Sequence, residues 1–337
     1  MKKIVSILLS IWITTLQAHT FISVGGFDVK KKGNRYCFYL SPCKGKPVTI
    51  TEALRQKSPQ VDAVTLWITR NWKKDWYEAD RVQRDIIDKG YVPLFIFYYF
   101  GDDISPSFVK SHRKDYFRHL KRFLHYLKRI DGQKIVVLNP EYNMAGTGKW
   151  PEMNQIFLKS YKILRRDPQL VVGPCVGDFG DYTKVDEPQE WRLFDPSLKE
   201  AAKTADFIAF QEMRALTRNR PEDIRKTAAR AYHLSRYLYR TYRKPTLLAY
   251  VAISSYGQNG EKIQADAFKS FVRYLPKMVE EGHLMLLGLF HYFDYPGHKG
   301  YFKKAEEHFG VLHSDGTPKP SFTYFNQLKS PIRSKNQ

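Results

Sequence analysis

The chain has 337 residues, 43% of them apolar, 26% charged and 15% aromatic, which excludes a disordered, collagenous or coiled-coil protein and leaves enough sequence for a substantial core. Lysine and arginine number 55 against 34 aspartates and glutamates, a net charge of +21. A field of that sign draws polyanions such as nucleic acid, anionic lipid headgroups or acidic polysaccharide, and says nothing about fold.

Residues 1–18 read as a secretory signal. Lys2 and Lys3 make a positive start, Ile4 to Ile13 an apolar stretch too short to span a bilayer, and Leu16-Gln17-Ala18 a cleavage site. The expectation is a secreted or periplasmic protein. No later segment is long and apolar enough to predict stable membrane insertion after cleavage. Three cysteines are too few for a disulfide framework. Export permits a bridge, and Cys37 and Cys43, on either side of Ser41-Pro42, are the pair able to close one. Cys175 lies in an apolar run and reads as a small buried hydrophobe.

Short apolar, β-branched runs then recur at 21–29, 62–69, 92–100, 134–141, 170–178, 206–213, 246–256 and 285–295. Residues 30–50 read as an irregular insert after the first run. Segments of helical periodicity occupy 75–89, 112–130, 152–166, 193–204, 221–242 and 262–281. The clearest is 112–130, where Tyr116, Phe117, Leu120, Phe123, Leu124, Leu127 and Ile130 form one stripe and basic residues fill the other side. Strands alternating with helices predict a parallel sheet covered on both faces. Eight such units predict a (β/α)8 TIM barrel over residues 19–328, with a polar tail at 329–337. A doubly wound sheet is the alternative, but Gly25-Gly26 is followed by Phe27-Asp28 rather than a G-x-G-x-x-G loop.

A barrel keeps its active site at the C-terminal ends of the strands. There this sequence places carboxylates and aromatics, the residue types that sugar chemistry requires. Glycosidic cleavage uses one carboxyl as proton donor and a second as nucleophile or base. Glu141, ending the fourth run, is the first candidate; alternation puts Val137, Asn139 and Glu141 on one face. Glu212, ending the sixth, is the second. Its register is open: if Gln211 is the inward residue, Glu212 points toward the helices, Gln211 hydrogen-bonds substrate, and Asp178 or Asp294 inherits the role. Trp72, Trp150 and Tyr292 are the expected sugar platforms, drawn from a wider aromatic set that includes Trp67, Trp76, Tyr98 and Tyr295. Arg70 is placed to anchor a substrate carboxylate or sulfate. Asn139, Asn143, Asp178, Tyr256, His291 and Asp294 complete the expected substrate-binding set. The ten histidines are scattered without an H-E-x-x-H or a Cys/His cluster, so no metal and no cofactor are expected. No nucleic-acid-binding module motif is present, so no nucleic-acid partner is expected.

Asn139-Pro140-Glu141-Tyr142-Asn143 resembles the Asn-Glu signature of the clan A glycoside hydrolases, whose strand-four Glu is the acid/base. The run Phe309-Gly310-Val311-Leu312, then Asp315-Gly316-Thr317-Pro318-Lys319-Pro320-Ser321-Phe322, is similar to the closing segment of many such enzymes. The resemblance implies a glycan or polysaccharide substrate, acidic ones included. It departs at strand seven, where the clan's nucleophilic Glu is replaced by Ala252-Ile253-Ser254-Ser255-Tyr256. That departure keeps open a non-catalytic barrel that binds carbohydrate or polyanion.

Overall fold

The computed structural model describes residues 20–26, 29–32, 35–38, 61–73 and 76–328. The expected signal segment, Cys43 and the 329–337 tail lie outside the described residues. Eight parallel strands close into a barrel: β1 (Phe21–Val24), β2 (Ala63–Thr69), β3 (Val92–Tyr98), β4 (Lys134–Leu138), β5 (Leu170–Gly177), β6 (Ile208–Arg214), β7 (Thr246–Ile253) and β8 (Leu284–Leu289). Each pairs with the next, and β1 closes the ring by pairing with both β8 and β2. From β2 onward each strand leads to a helix: α1 (Ala79–Asp85), α2 (Pro106–Leu127), α3 (Met153–Leu164), α4 (Asp195–Thr204), α5 (Thr227–Tyr242), α6 (Gly260–Gly282) and α7 (Pro320–Gln327). This is the (β/α)8 architecture expected from the alternation. Among the described residues no helix is long and apolar enough to cross a membrane.

Period-two alternation sorts the strand residues into two cores. Ala63, Leu94, Ile96, Ile135, Val137, Val171, Cys175, Phe207, Ala209 and Leu286 fill the barrel interior. Val64, Leu66, Phe95, Phe97, Val136, Leu138, Val172, Ile208, Phe210 and Leu248 face the helices. Gly173 exists for packing, because a Cβ there would lie 2.5 Å from the Phe207 ring. The α2 stripe is buried as expected, with Tyr116, Leu120, Phe123 and Leu127 fully enclosed and Lys114, Arg118, Lys121 and Lys128 exposed. The helix begins earlier than its periodicity suggests. Ser105 caps it, Oγ accepting from the Phe108 N–H at 3.2 Å, and Pro106 sits in the first turn. The insert after β1 is partly regular: Val29–Lys32 and Arg35–Phe38 pair as an antiparallel ribbon.

The strands are shorter than the apolar runs that predicted them. The fourth run was read to residue 141 and the strand stops at Leu138; the eighth was read to 295 and stops at Leu289. The surplus residues belong to loops at the C-terminal mouth.

The Asp-Gly-x-Pro-Lys-Pro run closes the molecule. Asp315 Oδ1 accepts from the Thr317 N–H at 2.8 Å, forming a turn. Lys319 is then buried, its Nζ donating to Asp294 Oδ1 at 2.6 Å, Ser255 Oγ at 2.7 Å and the Gly310 carbonyl at 2.9 Å. Asp294 Oδ1 also accepts from the Gly310 N–H at 3.1 Å. This clasp ties the loops after β7 and β8 to the start of α7. Removing one member of a buried pair strands the other charge. Lys319→Met should therefore cost roughly 3 to 5 kcal/mol, read from the urea midpoint, and the double variant Lys319→Met, Asp294→Asn should cost less than the single one. Equal losses would show that the pair carries no coupling.

Candidate active site

Beyond Leu138 the chain leaves the sheet through two left-handed positions, Asn139 at φ 51° and Glu141 at φ 60°. The turn breaks the alternation that would have carried both side chains inward. Asn139 is buried beside α2, its Nδ2 donating to the Tyr116 hydroxyl at 3.1 Å. Glu141 projects over the barrel mouth, where its Oε1 accepts a hydrogen bond of 3.0 Å from the Tyr250 hydroxyl. A left-handed non-glycine residue costs on the order of 1–3 kcal/mol and persists only where its surroundings hold it. Two flanking contacts do so. Asn143 takes the Gly177 N–H on Oδ1 at 2.6 Å and returns Nδ2 to the Gly177 carbonyl at 2.9 Å, fastening this loop to the end of β5. Tyr142 is buried, its hydroxyl accepting from Ser197 Oγ at 3.2 Å.

Tyr250 reaches Glu141 because β7 carries a bulge. Phe210 pairs with Leu248, but Gln211 pairs with Tyr250, so Ala249 is an extra residue. The shift leaves Ala249 and Tyr250 both on the interior side. Beneath them Trp67 forms a floor, its ring centroid 5.3 Å from Tyr250, 5.6 Å from Tyr98 and 5.6 Å from Phe290. The Tyr98 hydroxyl donates to Asp102 Oδ1 at 2.5 Å. Two tyrosine–carboxyl pairs thus stand over one indole.

The cavity above this floor has a volume of about 780 Å³. Its carboxyls are Asp102, Glu141, Asp178 and Glu306, and its aromatic walls include Trp76, Phe179, Tyr182, Tyr295 and Tyr301. Burial pushes Glu141 up to about 7, and the carboxyls of Asp102 and Glu306 add to the shift against the Tyr250 hydrogen bond. Glu306 is buried on the loop after β8, where its Oε1 accepts from the Phe302 N–H at 2.9 Å; burial raises it too, with Asp102 contributing. Gln211 Oε1 and His291 Nδ1 are buried and have no hydrogen-bond partner in the protein, although both side chains line the cavity. Burial, then His298, hold His291 well below its usual value, so it is neutral. Unpaired buried polar atoms of this kind suit hydroxyl groups of a ligand, which can both donate and accept.

Of the residues chosen from sequence, Glu141, Asp178 and His291 line the cavity. Glu212 does not. Gln211 and Met213 take the inward positions on β6, so Glu212 faces the helices with Ile208 and Phe210. There its Oε2 accepts from Arg214 at 2.6 Å, and burial raises its pKa well above normal against the Arg214 charge. Asp178 touches the cavity but is spent on protein donors. Arg230 bonds it bidentately at 2.5 and 2.8 Å, and Arg214 and the Trp191 indole N–H also reach it. Burial opposes its charge, and the two guanidinium groups still hold it below the usual carboxylate range.

The other expectations are corrected by packing. Trp72 is buried against His119, Phe123 and Tyr126 of α2. Tyr292 is buried against Phe322 and Phe325 of α7. Arg70 pairs with Asp103 at 2.9 Å outside the cavity. Trp150 lies under Lys110, and Tyr256 stacks on His308, both away from the cavity lining. Asn139 and Asn143 position the Glu141 turn, and Asp294 belongs to the Lys319 clasp. Trp67 and Tyr98 belong to the wider aromatic set, and Asp102 lies just past the third apolar run at 92–100. Tyr250 and Glu306 had no signal, because neither a bulge nor a distant loop return shows in local pattern. Among the described residues no group of three or more His, Cys, Asp and Glu is placed to hold a metal ion.

The fold is similar to that of several solved glycoside hydrolase structures. The chain is similar to a thermostable mutant of a xylanase from Cellvibrio japonicus, with 11% identity, 94% of this chain and 100% of that one covered, and a TM-score of 0.57. It is similar to xylanase 10B from Thermotoga petrophila RKU-1 in complex with xylobiose, with 14% identity, 94% and 96% covered, and a TM-score of 0.58. A GH10 endoxylanase from a sugarcane soil metagenome matches at 12% identity over 94% and 99% of the two chains, with a TM-score of 0.58. At such identities the likeness is one of fold. No family model and no curated protein matches the sequence.

The Tyr250 hydrogen bond favours the ionised form of Glu141, so its loss should raise the pKa. Carboxyl carbon NMR should titrate Glu141 near 7 in the native chain. In Tyr250→Phe it should titrate about one unit higher, the equivalent of one hydrogen bond to a charged group. An unchanged or lower value would show that Tyr250 does not control this carboxyl.

Proposed function

We propose that the protein is a glycoside hydrolase that cleaves glycosidic bonds in a polysaccharide or glycan, with Glu141 as general acid and Asp102 as second carboxyl. The observation that carries this reading is a carboxyl raised to about 7 at the mouth of a barrel, in a cavity with an aromatic floor and further carboxyls. A proton donor must hold its proton at working pH, and burial achieves that for Glu141. The oxocarbenium-like transition state then needs negative charge or an activated water on the other side of the sugar ring. Asp102 is suited to that part because it lines the cavity with its Oδ1 held in place by the Tyr98 hydroxyl. Asp178 is not, being saturated by Arg230, Arg214 and Trp191. Trp67 and its neighbouring rings offer faces for the apolar side of a pyranose, and Gln211 and His291 offer unpaired polar atoms for its hydroxyls. The signal-like residues 1–18 support export to the periplasm or beyond, where polysaccharide is met.

One observation favours a second reading, a non-catalytic carbohydrate-binding barrel. Strand β7 brings a tyrosine rather than a carboxylate to Glu141. Mutagenesis separates the two readings. Reducing-end release from a panel of neutral and acidic polysaccharides identifies the substrate. On it, Glu141→Gln should lower kcat/KM by about 10² to 10⁴ without loss of fold. Asp102→Asn should lower it comparably, and azide should restore turnover to Asp102→Ala. The loss in Glu141→Gln should shrink on a 2,4-dinitrophenyl glycoside, whose leaving group needs no proton. Full activity in either variant removes that residue from the mechanism, and no turnover of any glycan by the native chain favours the binding protein.

The pH profile follows from the same group. Only protonated Glu141 can donate, so the alkaline limb of kcat/KM should fall as pH rises through about 7. In Tyr250→Phe that limb should move to higher pH. A limb that ignores the substitution would mean that another group sets it.

A further inference from the structure

The cavity wall carries charges of both signs. Asp102, Glu141 and Glu306 lie among its carboxyl-bearing residues, whereas Arg218, on the loop after β6, and Lys299 and Tyr301, on the loop after β8, contribute a basic and aromatic part of its wall. Most neighbouring cations are neutralised: Arg214 by Glu212 and Asp178, Arg220 by Asp223, and Lys304 by Glu307. Among the described residues, no carboxylate comes within ion-pair distance of Arg218 or Lys299. Both are exposed. Arg218 instead lays its guanidinium over the Tyr301 ring, 4.4 Å from the centroid, with only the Tyr301 carbonyl near its Nη2 at 3.5 Å. Stacking occupies the flat face of the guanidinium and leaves its N–H edge for a planar anion. Tyr301 is 65% exposed, an unusual state for a large ring beside a cavity.

We infer that this part of the cavity wall is a subsite for a carboxylated sugar, a uronate, with its carboxylate on Arg218 and Lys299 and its ring face on Tyr301. The inference rests on the glycosidase reading for the kind of ligand. A sugar carboxylate is drawn to these two cations, which have no ion-pair partner among the described residues, although the Glu306 carboxyl lies close by against Gly300. The net charge of +21 adds long-range attraction for a polyanionic glycan.

Binding can be measured without turnover. In the Glu141→Gln protein, calorimetry would compare oligomers of galacturonate, of mannuronate with guluronate, and of glucuronate-containing hyaluronan with their carboxyl-reduced neutral counterparts. At least one uronate oligomer should bind about tenfold or more tightly than its reduced form, as expected for charge-assisted hydrogen bonds. The preference should weaken with salt, and it should vanish in Arg218→Gln, Lys299→Gln, whose folding is checked by its thermal midpoint. Tyr301→Ala should weaken uronate and neutral oligomers alike. Equal affinity for each uronate and its reduced form would overturn the subsite. So would a preference that survives the double substitution, or a sulfated oligosaccharide bound more tightly than every uronate. Uronate preference without hydrolysis by the native chain would leave the subsite standing and remove the hydrolase reading; hydrolysis of neutral glycans without preference would do the reverse.

Discussion

The site depends on the two left-handed residues that end β4. A regular strand continued past Leu138 would have placed Asn139 and Glu141 on one face, two polar groups side by side against the barrel packing. The turn at Asn139 sends that side chain outward to the Tyr116 hydroxyl and frees Glu141 to rise over the mouth. Asparagine tolerates this conformation because its short side chain can bond locally; glutamate does not share that advantage and must be held. The holding parts are the Asn143–Gly177 clasp and the buried Tyr142. Strain therefore sits at the residue best placed for chemistry, and the neighbouring loop compensates for it.

The buried carboxyls divide into two kinds by what surrounds them. Asp178 and Glu212 share two guanidinium groups, Arg214 and Arg230, in a compact cluster where β5 and β6 meet α5. That cluster also binds the Asp181 and Lys184 carbonyls through Arg230, so it shapes the loop after β5. Asp294 is likewise consumed by Lys319. Among the described residues Glu141 has no cation in ion-pair contact, only a phenol and other carboxyls around it, so no guanidinium offsets the burial that holds its proton. A carboxyl with its charge already matched serves architecture, whereas one kept short of positive charge in an aromatic enclosure is available for proton transfer.

The barrel was legible because it rests on repetition. Eight apolar runs and the stripes between them report a parallel sheet whatever the details of any one strand, and the α2 stripe from Tyr116 to Ile130 was correct at every position. Glu141 was legible because it ends the fourth apolar run, although the strand itself stops at Leu138. The rest of the site was hidden for identifiable reasons. Trp72 and Tyr292 come just after strands, as platforms would, yet the chain turns them under α2 and α7; sequence position gives proximity to the mouth but not the side of the wall. For Glu212 the choice between two faces was visible as a question, and one residue of register decided it against the catalytic reading. Tyr250 turns inward through a bulge that alternation cannot foresee, and Glu306 arrives from far along the loop after β8.

These hidden residues bear on the missing acid of strand seven. In a barrel whose β7 ends in a carboxylate, that group would face the strand-four glutamate as a second charge. Here the bulged strand offers a hydroxyl, which donates to Glu141 and lies over the same indole as Tyr98. A donor in that place cannot attack a sugar, but it fixes the orientation of the carboxyl and moderates its pKa, two tasks that a facing charge would perform differently. The negative charge has moved instead to the loops, to Asp102 beyond β3 and Glu306 beyond β8. Loops change length and sequence at less cost than the strands they join. Carboxyls carried on them leave Glu141 fixed at the end of the fourth strand while the position of the other charges at the mouth is set by the parts of the fold freest to vary.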